Sequence, residues 1–123
     1  MTRVAIPDWH GHVSPVFDAA SRALVVDLQD GREVGRQVTA LARLTPAGRV
    51  FRLEALGVDT LVCGAISRPL EELAAARGIR VIALVSGPVD IVERIVARGQ
   101  PIPEACLLPG CCQPRIQPAA RRP

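Results

Sequence analysis

Two short apolar runs bracket a polar loop near the start of the chain, and this arrangement limits the fold more than any other feature. The stretch Arg3 to Asp27 reads RVAIPDWHGHVSPVFDAASRALVVD. Val4-Ala5-Ile6 predicts a first strand that ends at Pro7, which lacks a backbone donor. Ala23-Leu24-Val25-Val26 predicts the next strand. Trp9, His10, His12, Ser14, Phe17 and Asp18 fall between them, on a loop whose two ends are fixed in a sheet. Polar groups on such a loop are held more rigidly than on a free one, so a binding site is expected there.

The apolar run continues to Leu28, and Asp30-Gly31 signals a hairpin into a half-exposed edge strand around residues 33–38. Thr45-Pro46 reads as a helix cap followed by proline at the first helical position. Phe51 and Leu56 are expected to pack that helix into the core, and Gly57 ends it. Thr60–Cys63 predicts a buried strand, and Ser67 a cap for a helix with Glu71 and Glu72 in its first turn. Gly78 stops that helix, Val81–Val85 predicts another strand, and residues 89–96 a last helix. The order β–β–β–α–β–α–β–α implies an α/β domain over residues 1–100, with a small mixed five-stranded sheet and about three helices. Prolines at 101, 103, 109, 114, 118 and 123 predict a C-terminal tail over residues 101–123, mobile after Pro114.

A chain of 123 residues accommodates one domain with a real core. That core must be aliphatic, because the aromatic side chains number three: Trp9, Phe17 and Phe51. The net charge of +3 is divided as +2 on the tail and +1 on residues 1–100. A nearly neutral body lacks the concentrated basic face that nucleic-acid binding requires. No apolar run approaches the ~20 residues that span a bilayer, and Asp8, His10 and His12 interrupt any secretory h-region. The expected location is cytoplasmic, where the four cysteines stay reduced.

Cys106-Leu107-Leu108-Pro109-Gly110-Cys111-Cys112 places three thiols within seven residues, with proline and glycine to bend the chain. Thiolates at Cys106, Cys111 and Cys112 suit a soft metal or an iron–sulfur cluster. Adjacent cysteines diverge unless the backbone turns, and a fourth ligand must come from His10, His12, another side chain, a small molecule or a second subunit. His10 and His12 alternate about Gly11, and in an extended segment they share a side and reach one ligand. The bland alternatives are reduced tail cysteines and solvent-facing histidines without a role. Cys63, at the end of an apolar strand, reads as a core residue. Asp8 and Asp18 read as acceptors for loop backbone, or as groups orienting an imidazole. Neither a dinucleotide fingerprint, nor a hydrolase triad, nor paired carboxylates at sheet ends can be read from the chain.

A leading strand, then Gly11-x-Val13-Ser14-Pro15-Val16-Phe17-Asp18, then a hydrophobic strand resembles the opening of the dinitrogenase iron–molybdenum cofactor biosynthesis family, with its NifX- and NafY-like domains. The likeness continues through Leu56–Ser67 and Gly78–Val81 and covers roughly residues 3–100. It implies a ribonuclease H-like α/β fold and a non-enzymatic protein that binds or carries iron–molybdenum cofactor or an iron–sulfur precursor. The implied partners are a cluster donor or acceptor protein, and a second copy in a homodimer. Many relatives carry S-P-H-F-G where this chain has Ser14-Pro15-Val16-Phe17-Asp18, so Val16, which cannot ligate metal, stands at the histidine position that the resemblance implies. The alternative function is a metal-free structural or regulatory interaction module of the same fold; an enzyme would need an enclosed pocket around His10 or His12.

Overall fold

The computed structural model describes residues 1–120, and the last three positions of the expected tail lie outside that range. The strands are β1 (Thr2–Trp9), β2 (His12–Val13), β3 (Arg22–Gln29), β4 (Arg32–Ala40), β5 (Thr60–Val62), β6 (Arg80–Ala83) and β7 (Arg115–Gln117). Helices α1 (Pro46–Ala55), α2 (Arg68–Ala76) and α3 (Val89–Ala97) connect or flank them. The sheet order is β4-β3-β1-β5-β6-β7, with the two-residue β2 paired to β1. β1 pairs antiparallel with β3 and parallel with β5, β5 runs parallel to β6, and β7 closes the far edge antiparallel. The fold is thus a small mixed α/β sheet with three helices, larger by β2 and β7 than the five strands expected.

The alternation of side chains along the strands divides the core in two. Ala5, Val25, Leu61 and Val81 face Val50 and Leu53 of α1 and Leu70 and Ala74 of α2. Val4, Val26, Val62 and Ile82 face the other way, toward Val89 and Val92 of α3. The central strand is buried on both faces, which is why its sequence reads as a continuous apolar run. Pro7 does not end it. Pairing to β5 has already stopped at Ala5, so the missing donor costs no parallel ladder bond, and Pro7 still aligns with Ala23 of β3.

Arginine acts as a strut between elements. The Arg3 Nε donates to Asp27 Oδ1 in β3, and its Nη1 donates to the Leu56 carbonyl at the end of α1. The buried Arg49 donates to the carbonyls of Ala20 (3.0 Å) and Leu44 (2.7 Å), fixing the chain that leads into α1. Phe51, expected in the core, is 41% exposed with the Arg77 guanidinium 4.9 Å from its ring centroid. Thr45 caps α1 as expected, accepting from the Gly48 N–H at 3.0 Å. Ser67 occupies the N-cap position of α2 but its side chain makes no cap bond; Asp18 instead accepts the Ser67 N–H at 3.0 Å.

The expectation of a mobile chain after Pro114 gives way to β7. Proline spacing leaves residues 115–117 with backbone donors, and the exposed edge of β6 supplies partners for them. Arg115 then pairs with Glu71 at 2.8 Å, and the Glu71 side chain is only 6% exposed. Arg115→Ala removes the partner of a buried carboxylate. Arg115 is 44% exposed, so solvent screens part of the loss. The expected destabilisation is about 2 kcal/mol, read in urea unfolding, with faster amide exchange along β6. Unchanged exchange at Ile82 and Ala83 would show that β7 is not held by this pair.

Candidate functional site

Strands β1, β5 and β6 run parallel, and their C-terminal ends release three loops side by side. Ligands in open α/β sheets settle at this kind of position. The loops are fastened by backbone bonds. Ala65 N–H donates to the Pro15 carbonyl and Phe17 N–H to the Ala65 carbonyl, both at 2.8 Å. Leu84 N–H donates to Gly64 O and Val85 N–H to Cys63 O, at 2.9 and 3.0 Å. Val13 N–H reaches Gly87 O, and Val89 N–H reaches Gly11 O, each at 2.9 Å. A fourth segment joins from the C-terminal side, where Ser86 N–H donates to Cys106 O and Leu108 N–H to Leu84 O.

Gly64 is required by space, not by backbone angle. A Cβ there would lie 2.6 Å from the Pro15 carbonyl oxygen and 2.7 Å from that of Ser14. Phe17, anchored in a short 3-10 turn over Phe17–Ala19, is fully buried and holds the first loop from beneath. Leu84 takes a φ of +71°, an uncommon conformation for a bulky residue. Its amide and carbonyl are both engaged, by Gly64 and Leu108, so the surrounding backbone holds it there.

His10 and His12 do not lie in an extended segment. His10 (φ +51°) and Gly11 (φ +84°) form the two-residue turn of a hairpin in which Trp9 faces His12. Asp8 accepts the Gly11 N–H at 2.8 Å and pairs with Arg22 at 2.9 Å, so it serves the turn and β3. An extended backbone therefore does not set the two imidazoles on one side, as the alternation about Gly11 leads one to expect. Both histidines are exposed, with the His10 ring edge-on to Trp9 at 4.8 Å. His12 also bridges to Pro88. Val16 is 43% exposed at the same end of the sheet and bridges to Ala65.

The cysteines separate by environment. Cys63 is buried, and burial, with Glu71 as a second cause, pushes its thiol far above the usual range; it is a core residue. Cys106 is also buried, with Sγ 3.9 Å from where a Gly87 Cβ would sit, beside the loop that His12 bridges. Leu108-Pro109-Gly110-Cys111 forms a turn closed by the Cys111 N–H to the Leu108 carbonyl at 3.1 Å, with Gly110 at φ +89°. Cys111 is half-buried and Cys112 exposed, and Cys112 lines a groove that contains neither histidine. Among the described residues no three His, Cys, Asp or Glu side chains stand together as a metal-binding group. No helix among them is long and apolar enough to cross a membrane.

Gly64→Ala forces two carbonyls away from the new methyl group. The expected loss is about 3 kcal/mol of unfolding free energy, with chemical-shift changes concentrated at residues 14–17 and 84–87. A stable variant with unmoved loops would show that the close approach does not position the site.

The fold and its first segment match known proteins. PH0822 is 24% identical, over 80% of this chain and 93% of its own, with a TM-score of 0.74. The Thermotoga protein TM1290 is 28% identical, over 81% and 90% of the two chains, with a TM-score of 0.63. The apo form of the orange protein from Desulfovibrio gigas is 21% identical, over 94% of this chain and 97% of its own, with a TM-score of 0.68. No curated protein matches the chain. The model of the dinitrogenase iron-molybdenum cofactor family matches residues 1–98. The chain belongs to that family.

Proposed function

We propose that this protein binds and hands on a metal–sulfur species, an iron–sulfur cluster or iron–molybdenum cofactor precursor, without catalysing a reaction on it. The observation that carries this reading is the meeting of four backbone-locked segments at the C-terminal ends of β1, β5 and β6, in a chain whose residues 1–98 match the cofactor family. His10 and His12 offer exposed imidazoles there, and Cys106 lies beside Gly87 on the inner side of the same loops. Cys111 and Cys112 supply accessible thiols on the segment that follows. With no closed set of three ligands among the described residues, the protein contributes few bonds and the cargo keeps its own sulfides. A partial ligand set suits a species that must leave again for an acceptor protein. Val16 adds apolar contact where the family's loop histidine would stand.

Anaerobic purification of the untagged protein, or supply of an assembled cluster, should yield stoichiometric iron and acid-labile sulfide. Asparagine suits a turn position with positive φ, so His10→Asn keeps the hairpin while removing the imidazole. Combined with His12→Asn it should shorten cluster retention about tenfold, equivalent to about 1.4 kcal/mol. Replacing Cys106, Cys111 and Cys112 by serine should abolish it. A folded protein that accepts no cluster, or variants that retain it like the wild type, would sink the reading.

One observation favours the metal-free interaction module as the second reading. Strand β4 is a nine-residue sheet edge that leaves Val34 and Val38 55% and 64% exposed. Pairing of this edge across a two-fold axis would cover both valines in a homodimer. Sedimentation should then show a dimer that Val38→Lys dissociates; a monomer at all concentrations would remove this reading.

A further inference from the structure

The two faces of the sheet are unequally covered. Six side-by-side strands span about 24 Å, and α1 and α2 share one face. The other face has α3 alone, and one helix is only about 10 Å wide. The uncovered part lies over β6 and β7, where the cross-strand pair Ile82 and Ile116 forms an apolar floor. Val96 of α3 walls one side, and Ile102 and Cys112, from the chain beyond the family match at residues 1–98, wall the other. The result is a groove of about 460 Å³, within the size range of small-molecule sites. Arg80 stands at its end, on the same strand face as Ile82.

The charges at the groove are one-sided. No Asp or Glu lines it, and among the described residues no carboxylate pairs with the Arg80 guanidinium. An adjoining hollow of about 230 Å³ shares Arg80, Ile82, Val96 and Gly99 with the groove and has Asp30 in its own wall; Asp30 forms no ion pair with Arg80 and does not line the groove. Ile116 is 48% exposed on the floor, so an apolar occupant would remove from water a surface that the fold leaves wet.

We propose that this groove is a second binding site, separate from the loop end of the sheet, for a small amphiphilic anion whose apolar part lies along Ile82 and Ile116 and whose carboxylate meets Arg80. A guanidinium is the natural partner of a planar carboxylate, and the apolar floor selects against fully hydrated anions. The C-terminal segment thereby acquires a purpose that the family-matched residues alone do not supply, since it builds one of the two walls.

Cys112, exposed in the wall, reports occupancy directly. The test measures alkylation of the full chain by N-ethylmaleimide, residue by residue by mass spectrometry, with decanoate or decanol below their micelle or solubility limits. Decanoate should slow alkylation of Cys112 saturably while leaving Cys111 nearly unchanged. Decanol should need about tenfold higher concentration, as expected for loss of one charge-assisted contact. Arg80→Gln should erase that preference. Ile116→Trp, which fills the groove from an exposed position, should abolish protection by both. Absence of protection in the wild type, or protection that survives Ile116→Trp in a folded variant, overturns the site. Equal potency of decanol and decanoate in the wild type overturns the assignment of an anion. Cys112 belongs to both sites, as a groove wall here and as a thiol in the proposed function, so cluster loading is measured separately, by iron and sulfide content on metal-free and loaded protein, and each site fails or stands on its own readout.

Discussion

The loop end of the sheet depends on one close approach, that of the Gly64 backbone to the carbonyls of Ser14 and Pro15. A side chain of any size at Gly64 would sit inside the contact distance of both oxygens. Because the approach is so close, Ala65 can exchange two hydrogen bonds with the first loop, accepting from Phe17 and donating to Pro15. Those bonds make a parallel bridge between Val16, in the chain that follows β2, and Ala65, in the chain that follows β5. The loop's course is thus set largely by main chain against main chain, with Asp8 and Asp18 accepting from backbone and with Val13, Phe17 and Ala20 buried beneath it. The outward-facing Val16 side chain, 43% exposed, makes no hydrogen bond in that fastening. Its chemistry can therefore differ without moving the loop.

Much of the body was legible because its signals are local. The central strands are apolar runs of the right length, Thr45-Pro46 caps its helix, and Asp30-Gly31 turns its hairpin with both residues at positive φ. The features that escaped depend on partners far away in sequence. Arg115-Ile116-Gln117 is too short to declare itself a strand, and only the free edge of β6 and the buried Glu71 make it one. His10-Gly11 is a hairpin turn with an unusual first residue, tolerated because Asp8 holds the Gly11 amide. Phe17 lies in a segment that is polar on average, and its burial follows from the three-dimensional seat below the loop. Phe51 failed in the opposite sense, since Val50 and Leu53 already fill the inward face of α1.

All fifteen basic residues of the chain are arginine, and the fold gives many of them a structural use. An aliphatic core with one fully buried aromatic packs its two layers well, but it has few polar means of tying loops to elements. Arginine supplies them. Its planar fork serves several acceptors from one side chain, as Arg3 does between Asp27 and Leu56, Arg49 between Ala20 and Leu44, and Arg115 between Glu71 and Ile66. A lysine offers a point charge and could not span these pairs with the same geometry. Several arginines carry their charge without an ion pair among the described residues, Arg80 with Arg32, Arg43, Arg52, Arg68, Arg94 and Arg98, and what distinguishes Arg80 is its place at the end of the apolar groove.

The same contrast orders the cysteines. Cys63 is shielded, its thiol held neutral by burial, and is unsuited to ligation or redox chemistry. Cys106 sits at the loops, while Cys111 and Cys112 are carried beyond a proline–glycine turn toward the α3 face. Among the described residues the three thiols do not stand together, so their convergence on one ion would require this segment to rearrange. Rearrangement has a cost, and a cargo that bears it binds less tightly than at a preformed cage. For a storage site this would be a defect. For a carrier the requirement is reversed, because the acceptor must win the cargo, and a site assembled only while the cargo is present returns the rearrangement energy on release.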